Sequence, residues 1–287
     1  MDTILRSRST TVTIGTGQPF CVIGERINPT GRKVFAEELR NGDLATVTAD
    51  ALAQTEAGAN MLDVNAGIPL VDEAELLTQM LKTVQDATDL PICIDSSVIE
   101  ALEAGLSVYE GKALVNSVTG EDERLEEILP LVARHGAAVI GLANDETGIP
   151  ETPQQRLDIA RKIISAAGDH GIKPEDVVID PLAMTVGADT EAVTTTLHTI
   201  RLIRDELGAN MCLGASNVSF GLPDRFTLNA AFLPMAAAHG LTSAIMSCAQ
   251  PVVDAVRATD LLLGNDPWGA NWIAEHRRRK AAQEAVA

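Results

Sequence analysis

Acidic and amide side chains end a series of short apolar runs along this chain. Asp95 follows the run LPICI, Asn116 follows ALV, and Asp180 follows VVI. Carboxylates accept hydrogen bonds and carboxamides both donate and accept them, so this set suits a neutral heterocycle with amine, ring N–H and carbonyl groups. A sugar phosphate would instead favour Lys, Arg or a glycine-rich loop. The residue types therefore predict a site for an uncharged, nitrogen-rich ring.

Other apolar runs end in the same way. Their polar residues are Glu25, Asn28, Asp63, Asn65, Asn144, Ser216, Asn217 and Ser247. Asp and Asn also cap the helices that follow strands, and at any single position capping is an equal alternative. Because run after run ends in a polar residue, capping alone does not explain the series. Lys and His are missing from these ends, so no general acid is obvious.

The cysteines and histidines indicate structural roles. The 4 cysteines are scattered, and Cys21, Cys93 and Cys212 lie in apolar runs, as buried free thiols do. Of the 5 histidines, His135, His170 and His239 each stand directly before a glycine, a pattern typical of helix ends. Since zinc and iron–sulfur sites need clustered ligands, we expect no bound metal.

Short apolar runs alternate with stretches of helical period over most of the chain. The predicted strands cover residues 20–24, 61–64, 92–94, 113–115, 138–142, 177–179, 212–214 and 243–246. Such alternation predicts an α/β fold with a parallel sheet. Eight units in about 250 residues match a single (β/α)8 TIM barrel, whose active site lies at the carboxyl ends of its strands. The alternative is a doubly wound open sheet, but its usual glycine-rich phosphate loop is matched only weakly.

The 287 residues divide into one barrel with two short flanking segments. We expect an N-terminal extension or hairpin over residues 1–18, the barrel over 19–264 and a C-terminal helical tail over 265–287. No linker or change of composition indicates a second large domain.

Composition excludes several classes of protein. A net charge of −18 disfavours nucleic acids and anionic membranes, because their phosphates attract Lys and Arg. The hydrophobic fraction of 46% excludes a disordered chain. No apolar run approaches the roughly 20 residues that a bilayer requires, and the N-terminus lacks the apolar stretch of a secretory signal. We expect a cytoplasmic protein.

Motifs around these polar residues resemble one family in their order along the chain. They are VIGERIN at 22–28, LDVNAG at 62–67, IDS at 94–96, VNS at 115–117, GL at 141–142 with TGIP at 147–150, IDPL at 179–182 and GASNVS at 214–219. Together they resemble the methyltetrahydrofolate:corrinoid methyltransferases. That family includes the acetogen methyltransferase, the methylcobamide:tetrahydrofolate methyltransferases of demethylation systems and the folate domain of cobalamin-dependent methionine synthase. The resemblance covers residues 21–263 and implies a pterin-binding barrel of the dihydropteroate synthase-like type.

The resemblance assigns roles by position. Asp95, Asn116 and Asp180 match the residues that bind the edge of the pterin ring. Asn217 matches an asparagine that reaches N5 of the methylfolate, and Arg225 matches an arginine near it. Asn217 is the expected catalytic residue, because its hydrogen bond would strengthen as N5 gains positive charge.

Further residues are implied with less direct roles. Those expected to line the pocket are Ser216, Met184 and Ile245. Those expected to support the pocket from behind are Glu25, Asn28, Asp63, Asn65 and Asn144. One departure concerns Phe220, which stands where the acetogen enzymes carry a Gln.

The implied reaction moves a methyl group between N5 of tetrahydrofolate and the cobalt of a corrinoid. We expect the direction from methylcorrinoid to tetrahydrofolate, as in a demethylation pathway, with the acetogen direction as the alternative. A dihydropteroate synthase-like enzyme and a non-catalytic folate-binding subunit rank lower. The early Asn-x-Thr-x-Asp-Ser-Phe loop of the synthases is missing here.

The implied partners follow from the length of the chain. One barrel occupies nearly all 287 residues, so the corrinoid is expected on a partner protein that docks at the barrel mouth. The net charge of −18 predicts a neutral or basic partner surface around the corrinoid. Family resemblance also implies a homodimer.

Overall fold

An antiparallel hairpin precedes a series of parallel strands in the computed structural model, which describes residues 1–286. The hairpin pairs β1 (Asp2–Arg6) with β2 (Thr11–Gly15). The parallel strands are β3 (Cys21–Ile27), β4 (Met61–Asn65), β5 (Ile92–Asp95), β6 (Leu114–Thr119), β7 (Ala138–Leu142), β8 (Val177–Asp180), β9 (Cys212–Gly214) and β10 (Ser243–Met246).

The parallel strands close into a barrel. They form an 8-stranded sheet in the order β8-β7-β6-β5-β4-β3-β10-β9, and a parallel bridge between Ile179 and Met211 joins the two ends of that order. The predicted TIM barrel is therefore confirmed, and its carboxyl-end opening, called the mouth below, is where the polar residues meet.

Helices follow the barrel strands and cover the sheet from outside. They are α1 (Lys33–Arg40), α2 (Ala45–Glu56), α3 (Glu73–Ala87), α4 (Ile99–Val108), α5 (Asp122–His135), α6 (Pro153–Asp169), α7 (Ala192–Leu207), α8 (Arg225–His239), α9 (Gln250–Leu263) and α10 (Ala270–Val286). Sequence signals explain several ends. Thr152 caps α6 ahead of Pro153, and Gly136 ends α5 with a φ of 60°, which favours glycine. Within residues 1–286, no helix is long and apolar enough to cross a membrane.

Side chains alternate between the two faces of the barrel wall. In β5, Ile92 and Ile94 pack among the helices, while Cys93 belongs to the cluster inside the barrel. The inner cluster is Leu5, Ile14, Cys21, Ile23, Met61, Cys93, Leu114, Ala138, Ile140, Val178 and Cys212. Since Leu5 and Ile14 come from the hairpin, the hairpin closes the end of the barrel opposite the mouth. The predicted buried thiols are confirmed at three cysteines, whereas Cys248 is only partly buried.

Five strands end later than predicted: β4, β5 and β8 by one residue, and β3 and β6 by three and four residues. β3 continues to Ile27 and β6 to Thr119, so Glu25 and Asn116 lie within strands and not after them. Inward positions near the mouth reach solvent and ligand, so a polar side chain there does not end the strand ladder.

Candidate functional site

Strand register aligns three of the predicted site residues at one level of the wall. Asn65 of β4 pairs with Asp95 of β5, and Asp95 pairs with Asn116 of β6. The Asn65 amide donates a hydrogen bond to Asp95 Oδ2 over 3.0 Å. Oδ1 of Asp95 and the side-chain oxygen of Asn116 thus form a short row of acceptors facing the mouth.

Asp63 lies two residues before Asn65 in β4, deeper in the barrel, and its carboxylate orients the Asn116 side chain. Its side chain is buried, and Asn116 Nδ2 donates to its Oδ1 over 3.1 Å. Because this amide nitrogen is engaged inward, Oδ1 of Asn116 is left as the acceptor for a ligand. Burial and the nearby Asp95 carboxylate both hold the pKa of Asp63 well above its ordinary value.

Asp180 faces the same space from β8, where it pairs with Leu142 of β7. Its Oδ1 accepts from the backbone N–H of Leu182 over 2.7 Å. Burial raises the pKa of Asp180 to about 7, although bonds from the Leu182 and Gly214 amides and the charge of Arg156 lower it. Burial likewise raises the pKa of Asp95 to about 6. Both carboxyls are thus poised between their acid and ionised forms near neutral pH.

Asn217 approaches from the other side, on the short 3-10 helix Ala215–Ser219 that follows β9. A Cβ at Gly214 would lie 3.0 Å from Asn217 Nδ2, so the carboxamide folds back over the end of β9. The Gly214 amide also lies near Asp180 and lowers the pKa of its carboxyl. The glycine therefore brings Asn217 and Asp180 together, and a side chain at position 214 would push the carboxamide away.

A cavity of about 630 Å³ opens beside this turn and is lined by Glu25, Ser216, Arg225 and Asn229 among others. Ser216 Oγ donates to Glu25 Oε1 over 2.9 Å, and Arg225 Nη2 donates to the Ser216 carbonyl over 2.7 Å. Burial raises the pKa of Glu25, while the Ser216 bond and the Arg225 charge lower it. The structure thus places Ser216 and Arg225 beside Asn217.

Other predicted residues have different surroundings. Ile245 packs against the apolar cluster inside the barrel. Met184 lines a separate cleft of about 380 Å³ with Ile149 and Arg156. The Asn28 side chain accepts from the Thr30 N–H over 2.9 Å and so shapes a turn. Asn144 has a buried Oδ1 without a hydrogen-bond partner among the described residues.

Two residues of the mouth were not predicted. Arg156 of α6 is buried and donates to the carbonyls of Pro150, Pro181 and Leu182, so it ties two mouth loops together. Asn229 of α8 is buried and bonds Ser216 and Ser219. In the sequence, both residues could have been found as a polar residue at an apolar position of a helix.

A further cavity of about 440 Å³ lies under α10, among Pro19, Gly58, Asn60 and Arg257. Pro19 and Asn60 precede β3 and β4, so this cavity is at the end away from the mouth. The Arg257 guanidinium already donates to the carbonyls of Phe20 and Gly58 and to Asn60. We therefore place the functional site at the mouth.

Comparison with known proteins shows the family of the chain. The model of the family described as pterin binding enzyme matches residues 24–247. The chain belongs to the pterin-binding enzyme family. Within it, the chain is 34% identical over 252 residues to a methylcorrinoid:tetrahydrofolate methyltransferase of Eubacterium limosum, covering 85% of this chain and 92% of that one. The predicted family is thus confirmed.

Other members show how the same barrel is used in larger and in different proteins. The chain is 34% identical over 238 residues to methionine synthase of Mycobacterium tuberculosis, which covers 78% of this chain but only 20% of that protein. Among solved structures, dihydropteroate synthase of Vibrio fischeri matches with a TM-score of 0.68 at 19% identity, over 92% of this chain and 99% of that one. The Yersinia pestis synthase matches with a TM-score of 0.67 at 15% identity, over 91% and 99%. These two structures support the fold alone.

Proposed function

We propose that this protein transfers a methyl group from the cobalt of a methylcorrinoid, carried on a partner protein, to N5 of tetrahydrofolate. The observation that carries the proposal is the convergence of Asp95, Asn116 and Asp180 with Asn217 at one mouth. The direction follows the name of the Eubacterium limosum relative, a methylcorrinoid:tetrahydrofolate methyltransferase.

The wall of acceptors fits the donor-rich edge of a pterin. The amino group and ring N–H groups of that edge are donors, and Asp95, Asn116 and Asp180 each offer an oxygen to them. Oδ2 of Asp95, Nδ2 of Asn116 and Oδ1 of Asp180 are already held by protein groups. The free oxygens therefore have fixed positions before the ligand arrives, which lowers the entropy lost on binding.

The methyl transfer requires a group that stabilises the positive charge developing on N5. The N5 lone pair forms the new N–CH3 bond, the cobalt–carbon electrons stay on cobalt, and N5 becomes an ammonium that releases its proton. Asn217 would accept a hydrogen bond from N5–H, and that bond strengthens as positive charge develops on nitrogen. The contribution is larger in the transition state than in the ground state, which is what raises the rate.

The partner would dock on the loops around the mouth. Leu70, between β4 and α3, and Phe220, beyond the Asn217 turn, have exposed fractions of 106% and 68%. Ile149, between β7 and α6, is also exposed. Exposed apolar side chains on several loops around one opening favour a protein partner there. No metal is needed in the barrel, because the corrinoid is a substrate brought by that partner.

Two general properties complete the proposal. All four cysteines are free, which agrees with a cytoplasmic protein. The homodimer that family resemblance implies stays a prediction, and light scattering after gel filtration measures it.

The test is an absorbance assay in which methylcobalamin is mixed with tetrahydrofolate and the protein. We expect the methylcobalamin spectrum to change to that of cob(I)alamin while methyltetrahydrofolate forms. Folate binding without a spectral change would support a non-catalytic folate-binding subunit. Faster turnover from methyltetrahydrofolate and cob(I)alamin at physiological concentrations would favour the acetogen direction.

A further inference from the structure

Asn217 sits on a turn that one main-chain bond joins to the loop after β8, where the Val186 N–H donates to the Val218 carbonyl over 3.1 Å. The 3-10 helix Ala215–Ser219 follows the last residue of β9, and Asn217 itself is exposed. The turn closes after Asn217, where the Phe220 N–H donates to the Asn217 carbonyl over 3.1 Å. Side-chain bonds from α8 add to the main-chain bond from Val186 in fixing the turn against the barrel.

Asn229 supplies these side-chain bonds from α8. Only 2% of its surface is exposed. Its Nδ2 donates to Ser216 Oγ over 3.2 Å, and its Oδ1 accepts from Ser219 Oγ over 2.7 Å. One carboxamide thus holds residues on both sides of Asn217, and both of its ends are engaged by the protein.

The directions of the hydrogen bonds fix which way this carboxamide points. Arg225 Nε donates to Ser219 Oγ over 3.1 Å, so the Ser219 proton is free to go to Asn229. Ser216 Oγ gives its proton to Glu25, so it must accept from Asn229. The chain of donors runs from the Arg225 cation to the Glu25 carboxyl, and each bond polarises the next in the same direction.

We propose that Asn229 is a positioning residue for Asn217: it clamps Ser216 and Ser219 so that the Asn217 carboxamide stays over Gly214. This inference rests on the proposed function, since it assigns Asn229 a part in the methyl transfer that Asn217 would promote. A displacement of about 1 Å at a reacting centre can lower a rate about 100-fold. We therefore expect Asn229→Ala to lower kcat by about tenfold to 100-fold, with KM for tetrahydrofolate changed less than about threefold.

A double-mutant cycle separates positioning from mere stabilisation. In an Asn217→Ala background, Asn229→Ala should lower kcat no further, because the group that it positions is gone. Asn210→Ala is the matched control, because Asn210 is also a buried asparagine and bonds Thr3 and Ile14 at the opposite end of the barrel. It should reduce thermal stability like Asn229→Ala but leave kcat unchanged. Equal losses in kcat and in folate affinity for Asn229→Ala, or additive losses in the cycle, contradict the proposal.

Hydrogen exchange gives a readout that does not depend on activity. In ligand-free protein, amides over residues 215–222 should exchange faster in Asn229→Ala than in wild type, and Asn210→Ala should leave them unchanged. Unaltered exchange in Asn229→Ala overturns the clamp. If wild-type protein transfers no methyl group, the proposed function fails, while exchange over residues 215–222 still decides whether Asn229 holds this turn.

Discussion

The two sides of the mouth are built in different ways. On one side, Asn65, Asp95 and Asn116 lie on strands whose main-chain register sets their spacing and direction. On the other, Asn217 lies on a five-residue 3-10 helix that is held by one main-chain bond from Val186 and mostly by side-chain bonds to Asn229 and Arg225. A ladder of main-chain bonds resists local opening, whereas a turn held by side chains opens at lower free energy.

This difference matches the two tasks that we propose. Recognition of a rigid heterocycle needs acceptors at constant positions, which the strands provide. The hydrogen bond to N5 must strengthen as charge develops, and it must leave room for a methyl group and a large corrinoid to approach. We therefore expect strand-side substitutions to alter folate binding and turn-side substitutions to alter the rate of methyl transfer.

The largest effect is expected on the turn side. Asn217→Ala should lower kcat by about 10²–10³, as the loss of one donor or acceptor to a developing charge does elsewhere. Folate affinity should change less than about threefold, because this bond is weak in the ground state. Steady-state kinetics together with fluorescence titration of folate measure both numbers. Equal losses in kcat and affinity would remove the distinction between the two sides.

Substitutions at the strand residues should lower folate affinity and change kcat little. Asp180→Ala should weaken tetrahydrofolate binding by about tenfold to 100-fold, the range for loss of a hydrogen bond to a charged group. At saturating folate its kcat should stay close to that of wild type. Isothermal titration calorimetry measures the affinity, and Asp169→Ala, at an exposed position of α6, is the control. An unchanged dissociation constant would exclude Asp180 from the pterin edge.

Folate binding should also depend on pH through Asp180. Its pKa of about 7 lies above the ordinary value of 3.8, so the carboxyl takes up a proton as the pH falls through neutrality. A neutral carboxyl is a poorer acceptor for pterin N–H groups, so affinity should fall about tenfold between pH 8 and pH 6. Calorimetric titrations across this range should show the slope in wild type. In Asp180→Asn the slope above pH 7 should disappear, and only the part near pH 6 that Asp95 contributes should remain. An unchanged slope between pH 7 and pH 8 in Asp180→Asn would assign that titration to another group.

The raised pKa of Asp180 also predicts how the stability of the ligand-free protein changes with pH. The pKa of Asp180 is higher in the folded than in the unfolded protein. Its contribution to the free energy of unfolding is therefore full below about pH 4 and is lost as the pH rises through about 7. Between pH 5.5 and pH 8, the thermal midpoint of wild type should therefore fall relative to that of Asp180→Asn. Parallel midpoint curves for the two proteins would contradict this assignment. Differential scanning calorimetry measures both curves.

The smallest effect concerns the partner. Leu70→Ser should lower kcat/KM for the corrinoid protein by about threefold to tenfold, since one exposed apolar contact is lost at a docking surface. Turnover with free methylcobalamin should not change. Leu262→Ser is the control, because Leu262 is 85% exposed on α9, away from the mouth loops. Equal effects of both substitutions would argue against docking at the mouth.

Sequence reasoning identified the residues at the strand ends more completely than the side chains that pack against the loops of the mouth. Asp95, Asn116 and Asp180 could be predicted because period-two alternation and parallel strands bring inward residues to one opening. Asn229 and Arg156 could not, because their roles depend on which loop lies against a helix, and only tertiary packing settles that. Met184 shows the same limit: it lies two residues after the IDPL segment of the resemblance, yet its side chain lines a separate cleft.

The division between the two sides is tested most directly by single-turnover methyl transfer measured against tetrahydrofolate concentration. We predict that Asp180→Ala reaches nearly the wild-type rate once folate saturates, and that Asn217→Ala reaches a plateau at least about 100-fold lower at any folate concentration. Plateaus of equal height for the two variants would contradict the division of binding and chemistry between the strands and the turn.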